Sequence, residues 1–179
     1  MAPERTPEEK AMILSGVGRR YVRMTMAEHA PKSTPLRDFV GRSEFKPELL
    51  QGRGAILTGD MPFTDTMLHL SARSALQRGV NAVVIDLVDF YKYEIERHAS
   101  SEEVERIERA SVLCIPSFCL RDYPENPFEG RQKFQMERAL TTYLDEQRAL
   151  IVAADAPLTH WWSPAFVKAI KASATEIIL

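Results

Sequence analysis

Short runs of apolar residues recur from residue 54 onward, and stretches of helical periodicity separate them. Gly54–Thr58 (GAILT) is an apolar run closed by Gly59, the pattern of a buried strand entering a tight turn. Over 64–78 the apolar positions Met67, Leu68, Ala72, Ala75 and Leu76 fall at helical spacing, and Gly79 follows as a C-terminal cap. The alternation then repeats. A strand is predicted over 82–88 (AVVIDLV) and a helix over 89–98. Ser100 and Ser101, followed by Glu102 and Glu103, open a second helix reaching 110, with a cap and acidic first-turn residues. Residues 111–115 (SVLCI) predict a third strand, 122–130 (DYPENPFEG) a Pro/Asn/Gly loop and 131–147 a long amphipathic helix. Ala149–Ala154 (ALIVAA) predicts a fourth strand, Pro164–Ser173 a helix with proline in its first turn, and 176–179 (EIIL) a fifth strand.

Short apolar strands alternating with helices predict a parallel sheet covered on both faces, and five strands complete a small doubly wound α/β domain. Residues 1–50 have little periodicity and carry Pro3, Pro7, Pro31, Pro35 and Pro47. They read as an arm with one short helix near 8–14 and irregular chain after it. The expected organisation is an N-terminal arm over 1–50 and an α/β domain over 51–179.

Composition narrows the function classes. The 179 residues are 45% apolar and 27% charged, the profile of a soluble globular protein. A formal net charge of −2 provides no global positive field for nucleic acid or an anionic membrane. Cys114 and Cys119 sit in apolar surroundings without His or Cys at ligand spacing, so buried thiols in a reducing compartment are expected and a metal site is not. The first ten residues are polar rather than signal-like, and no apolar run nears the ~20 residues that span a bilayer. A cytoplasmic protein is expected.

The chemistry concentrates between the first strand and its helix. A working phosphate loop reads G-x-x-x-x-G-K-[ST] there. This chain has Gly59, Asp60, Met61, Pro62, Phe63, Thr64, Asp65 and Thr66. Gly59 and Thr66 keep the spacing, Thr64 replaces the second glycine and Asp65 replaces the lysine. Pro62 removes a backbone N–H from a loop that binds phosphate through successive N–H groups. Asp65 places a carboxylate where an ammonium should meet phosphate, and two like charges ~4 Å apart repel by about 4 kcal/mol at an effective dielectric of 20. An accidental strand-to-helix turn is the competing reading of these eight residues taken alone.

The rest of the chain favours a relic. Residues 16–25 (GVGRRYVRMT) resemble the segment preceding the ATPase domain of DnaC/IstB-type AAA+ proteins, the bacterial helicase loaders and their transposition relatives. Residues 52–59 resemble that family's strand into the phosphate loop. Residues 75–80 with 83–85 resemble its second strand and approach, Asp89 and Phe90 its next helix, and 148–158 its fourth strand and following turn. The similarity runs in order over residues 13–179. It implies a P-loop NTPase-like AAA+ core, a doubly wound parallel five-stranded sheet without the C-terminal helical lid. It also implies where catalysis should reside, and those positions differ. The Walker A lysine corresponds to Asp65, the Walker B carboxylates to Pro116 and Ser117, and the sensor asparagine to Asp155. In the helix expected to hold the arginine finger stand Lys168, Ala169 and Lys171.

Other candidates carry less. Asp86 and Asp89 read better as a strand end and helix cap than as paired catalytic carboxylates. His29, His69, His98 and His160 lack partners at motif spacing, and no G-x-S-x-G elbow is present. Trp161 and Trp162 are candidate anchors for a protein partner, with covering of the sheet edge as the competing role. Arg19, Arg20 and Arg23 are candidate contacts to phosphates or an acidic partner, with packing of the arm against the core as the alternative.

The resulting expectation is a pseudo-ATPase related to helicase loaders, using no cofactor and no metal. It would act in DNA replication through a protein partner, a replicative helicase or an active AAA+ subunit, with DNA a weaker candidate. It would serve as adaptor, inhibitor or inactive subunit, and a phage or mobile-element origin would suit it. The competing expectations are an adaptor or structural protein that keeps only the fold and a weak nucleotide-binding enzyme.

Overall fold

A computed structural model of the chain describes residues 5–29, 35–96, 101–119 and 130–179. Five strands form one sheet: β1 (Gly54–Thr58), β2 (Ala82–Val84), β3 (Val112–Ile115), β4 (Ala149–Ala154) and β5 (Ala174–Ile178). Their spatial order is β2-β3-β4-β1-β5, and every pairing is parallel. Strands this apolar need cover on both faces, because successive side chains point to opposite sides.

The two faces build two cores. Ala55, Leu57, Cys114, Ile151 and Ala153 point to one face, packing with Met67, Leu68 and Ala72 of α5 (Met61–Gln77). Ile56, Leu113, Ile115, Leu150 and Val152 point to the other. There they meet Met136 and Leu140 of α8 (Arg131–Asp145) and Phe166, Val167 and Ile170 of α9 (Pro164–Ser173). Between β2 and β3 run α6 (Leu87–Tyr91), a π-helical turn over Lys92–Glu96, and α7 (Ser101–Glu108).

The N-terminal region departs from the expected irregular arm. It forms α1 (Pro7–Leu14), α2 (Met26–His29), α3 (Pro35–Gly41) and α4 (Phe45–Leu50). A capping box at Thr6 and Glu9 starts α1. Leu36, Phe45 and Leu49 are fully buried in the same core as α5 and β1. Each such burial contributes about 1.5–3 kcal/mol, which offsets the helix-breaking prolines that dominate the sequence pattern. Pro7 and Pro35 lie at helix starts, where a missing N–H is tolerated.

Other boundaries shift for local reasons. The second strand stops at Val84 rather than 88, because the Asp86 side chain accepts from Asp89 N–H at 2.8 Å and starts a helix. Helix α5 begins at Met61 rather than 64, with Asp60 at its N-cap and Pro62 in its first turn. Residues 122–129 of the predicted loop, the Ser100 cap and His98 lie outside the described residues. Among the described residues, no helix is long and apolar enough to cross a membrane.

Candidate functional site

The turn between β1 and α5 is short. Gly59 N–H donates to Ala154 O at 3.1 Å, continuing the sheet, and Asp60 O accepts from Phe63 N–H (3.1 Å) and Thr64 N–H (2.8 Å). Those two N–H groups close the first helical turn on itself. A phosphate-binding concavity needs such donors turned outward. Gly59 has another use: a Cβ there would lie 2.8 Å from Leu179 O, so glycine permits the close approach of the chain that follows β5.

The hydroxyls of this segment are also turned inward. Thr64 is fully buried and donates to Asp60 O at 2.8 Å, and Thr66 donates to Pro62 O at 2.8 Å. The Asp65 side chain reaches across to the turn that follows β3. Asp65 Oδ1 accepts Ser117 N–H at 2.9 Å, and Asp65 Oδ2 accepts the Ser117 hydroxyl at 3.0 Å. Ser117 adopts φ +47°, a left-handed conformation that non-glycine residues rarely take. Two charge-assisted bonds from one carboxylate hold it there. The structure thus joins two positions that lie 52 residues apart in sequence, the ones that the family resemblance sets against the Walker A lysine and the Walker B acid.

Pro116, beside Ser117, lines a cavity of about 350 Å³ at the carboxyl end of β2 and β3. Asp155 lies half-buried beyond β4. In α9, Lys168 is exposed, Ala169 is half-buried and Lys171 pairs with Glu176 at 2.5 Å.

The two tryptophans separate. Trp162 is only 2% exposed, stacks on Phe118 with ring centroids 4.6 Å apart, and donates through Nε1 to Phe118 O at 3.3 Å. Its ring belongs to the core and is not a surface anchor, a correction to that candidate role: packing against Phe118 and Phe166 in the core on that face of the sheet leaves it almost no exposed surface. Trp161 is half-buried against the same cluster.

The arginines separate too. Arg23 is bound to the Glu9 carboxylate at 2.6 and 3.1 Å, and this pairing holds the Glu9 carboxyl below its ordinary range. Arg20 lies over the Tyr21 ring at 4.5 Å and bonds its hydroxyl, while Arg19 is exposed. Cys114 and Cys119 are buried thiols, and burial pushes the Cys114 thiol up. Among the described residues, no three potential metal ligands cluster.

Sequence reasoning missed several pairings. Ser163, the N-cap of α9, gives its N–H and hydroxyl to Glu137 of α8, both at 2.7 Å. Arg148 donates to Ala110 O through Nε (2.9 Å) and to Ile107 O through Nη2 (2.5 Å), closing the end of α7. His69 stacks on Tyr21 with centroids 4.4 Å apart, and burial pushes its pKa down to about 4. The helix over Pro164–Ser173, with proline in its first turn, was legible; partners dozens of residues away leave no local signal.

No protein-family model and no curated protein sequence matches the chain. Solved structures do. The crystal structure of DnaI superposes with a TM-score of 0.64 at 12% identity, covering 92% of this chain and 95% of that one. A putative primosome component from Streptococcus pyogenes serotype M3 gives 0.61 at 14% identity, with 95% and 96% covered. AMPPCP-bound DnaA from Aquifex aeolicus gives 0.59 at 14% identity over 90% of this chain. The chain spans about half the length of the DnaA structures it matches. With its all-parallel sheet in the order β2-β3-β4-β1-β5 and helices on both faces, the chain has the P-loop-type AAA+ fold of these replication proteins.

Proposed function

We propose that this chain is a pseudo-ATPase of the helicase-loader type, which acts in DNA replication by binding a protein partner rather than by turning over ATP. The observation that carries the reading is the Asp65–Ser117 pair. A carboxylate already bonded to the Walker B position supplies negative charge where a triphosphate and its metal would have to enter. The turned-in donors of the β1–α5 connection support the same reading, since Phe63 and Thr64 N–H groups are bound to Asp60 O. The likeness to DnaI and to a putative primosome component supports the replication setting. Without an ATP cycle to time its release, such a protein serves as a constitutive adaptor, an inhibitor or an inactive subunit beside an active ATPase.

Titration calorimetry with ATP and Mg²⁺ tests the first half, with no saturable heat expected; micromolar binding would overturn it. Co-purification with the replicative helicase of the same host at mild salt tests the second half. Failure to recover that helicase favours an adaptor that retains only the fold.

A further inference from the structure

The cavity at the carboxyl end of β2 and β3 has a volume of about 350 Å³, within the usual range for small-molecule sites. Crevices at the carboxyl ends of parallel strands are where open α/β sheets place their ligands. Its polar lining carries both signs of charge, and one member of each sign has unused hydrogen-bonding capacity. Arg106 donates through Nη1 to Leu14 O at 2.6 Å, but its Nε is buried with no hydrogen-bond partner among the described residues. A buried donor left unpaired is unfavourable, and a ligand acceptor relieves it. His69 lines the same cavity, with one tautomer selected. Its Nδ1 accepts Gly18 N–H at 3.3 Å, which leaves Nε2 to carry the ring proton, and stacking on Tyr21 fixes the ring plane. Burial keeps that imidazole neutral at physiological pH, with a pKa of about 4.

The opposite sign comes from Asp86. Its Oδ1 caps α6 by accepting Asp89 N–H at 2.8 Å, and its Oδ2 has no bond among the described residues. Asp89 is paired with Lys92 at 3.1 Å, so these two largely cancel at the rim. A polyphosphate would meet two carboxylates here. A simple amine would leave Arg106 unpaired, and an apolar molecule would leave both charges unpaired. A molecule with an anionic and a cationic end satisfies both, and Ile107 and Pro116 in the lining suit an apolar side chain.

We propose that this cavity binds a small zwitterion of the amino-acid class, its carboxylate held by Arg106 and the His69 ring N–H and its ammonium by Asp86. The proposal is independent of whether the turn over 59–66 binds nucleotide. The test is titration of the full chain, followed by amide chemical shifts in NMR, with L-leucine and L-phenylalanine. Each is paired with its N-acetyl form, which lacks the ammonium, and its amide, which lacks the carboxylate. Saturable shifts at Gly18, His69 and Arg106 are expected for the zwitterions, with binding weaker by about tenfold or more for either blocked form. Asp86→Asn keeps a good helix cap, so the variant should fold, and it should weaken zwitterion binding by about tenfold while leaving the N-acetyl form unchanged. Absence of saturable shifts at millimolar zwitterion overturns the proposal, as does equal affinity for the blocked forms or for the Asp86→Asn protein. Inorganic phosphate producing the same shifts with higher affinity would also overturn it.

Discussion

Replacing Asp65 with alanine removes both acceptors that hold Ser117, and the loss can be sized from the geometry. Two hydrogen bonds at 2.9 and 3.0 Å end on one carboxylate. Bonds to a charged acceptor contribute about 1.5–3 kcal/mol each when buried. Both residues are half-buried, so water replaces part of what is lost, and alanine is the better helix former by several tenths of a kcal/mol. The expected destabilisation is about 2–3 kcal/mol, read as a lower urea midpoint at unchanged slope. Ser117→Gly provides the internal control. It loses the hydroxyl bond but relieves a φ of +47°, a strain of roughly 1–3 kcal/mol, so its net effect should stay within about 1 kcal/mol. A double-mutant cycle between Asp65→Ala and Ser117→Ala should leave a coupling of about 1 kcal/mol. An Asp65→Ala protein within about 0.5 kcal/mol of the wild type, or an additive cycle, would refute the reasoning.

Asp65→Lys alone should not generate ATP turnover, because Pro62, Ser117 and Asp155 remain as they are; measurable phosphate release in that single variant would contradict the proposed inactivity. Arg148→Ala should lower stability by about 2–4 kcal/mol in urea melts, since it removes charge-assisted bonds to Ala110 and Ile107 carbonyls and a cation held 3.9 Å over the Tyr143 ring. Trp162→Ala should cost about 3–5 kcal/mol, the range for a core aromatic; a change under about 1 kcal/mol would mean that the ring is not packed as described. His69 gives a pH signature. Its folded pKa, pushed down to about 4, lies below the ordinary 6.5, so the unfolded chain binds the extra proton first. Its contribution is complete above about pH 6.5 and is lost progressively as pH falls toward about 4. In urea melts across that window, His69→Gln should flatten the decline, and an unchanged pH profile would count against a buried neutral imidazole.

Much of the fold was legible because its signals are local. β1 and β4 coincide with the apolar runs at Gly54–Thr58 and Ala149–Ala154, and α9 begins at Pro164, as the proline in its first turn predicts. The errors arose where local and tertiary effects compete. Prolines made the first 50 residues read as irregular, yet burial of Leu36, Phe45 and Leu49 against α5 outweighs weak helix propensity. Val88 looked like the end of a strand, but the Asp86 cap redirects the backbone four residues earlier. Trp162 looked available for a partner because nothing near it in sequence announces Phe118, its stacking neighbour.

The amino-acid sequence by itself determined the alternation of strands and helices, the parallel sheet that alternation requires, and the absence of a lysine at position 65. Hydrophobic periodicity and residue identity are properties of short segments and survive without coordinates. Only the tertiary structure decided what the aspartate in the lysine's place holds. The parallel crossover brings Ser117 beside Asp65 and sets His69, Asp86 and Arg106 around one cavity. Such contacts depend on where the sheet places the ends of its strands, and no short segment encodes that on its own.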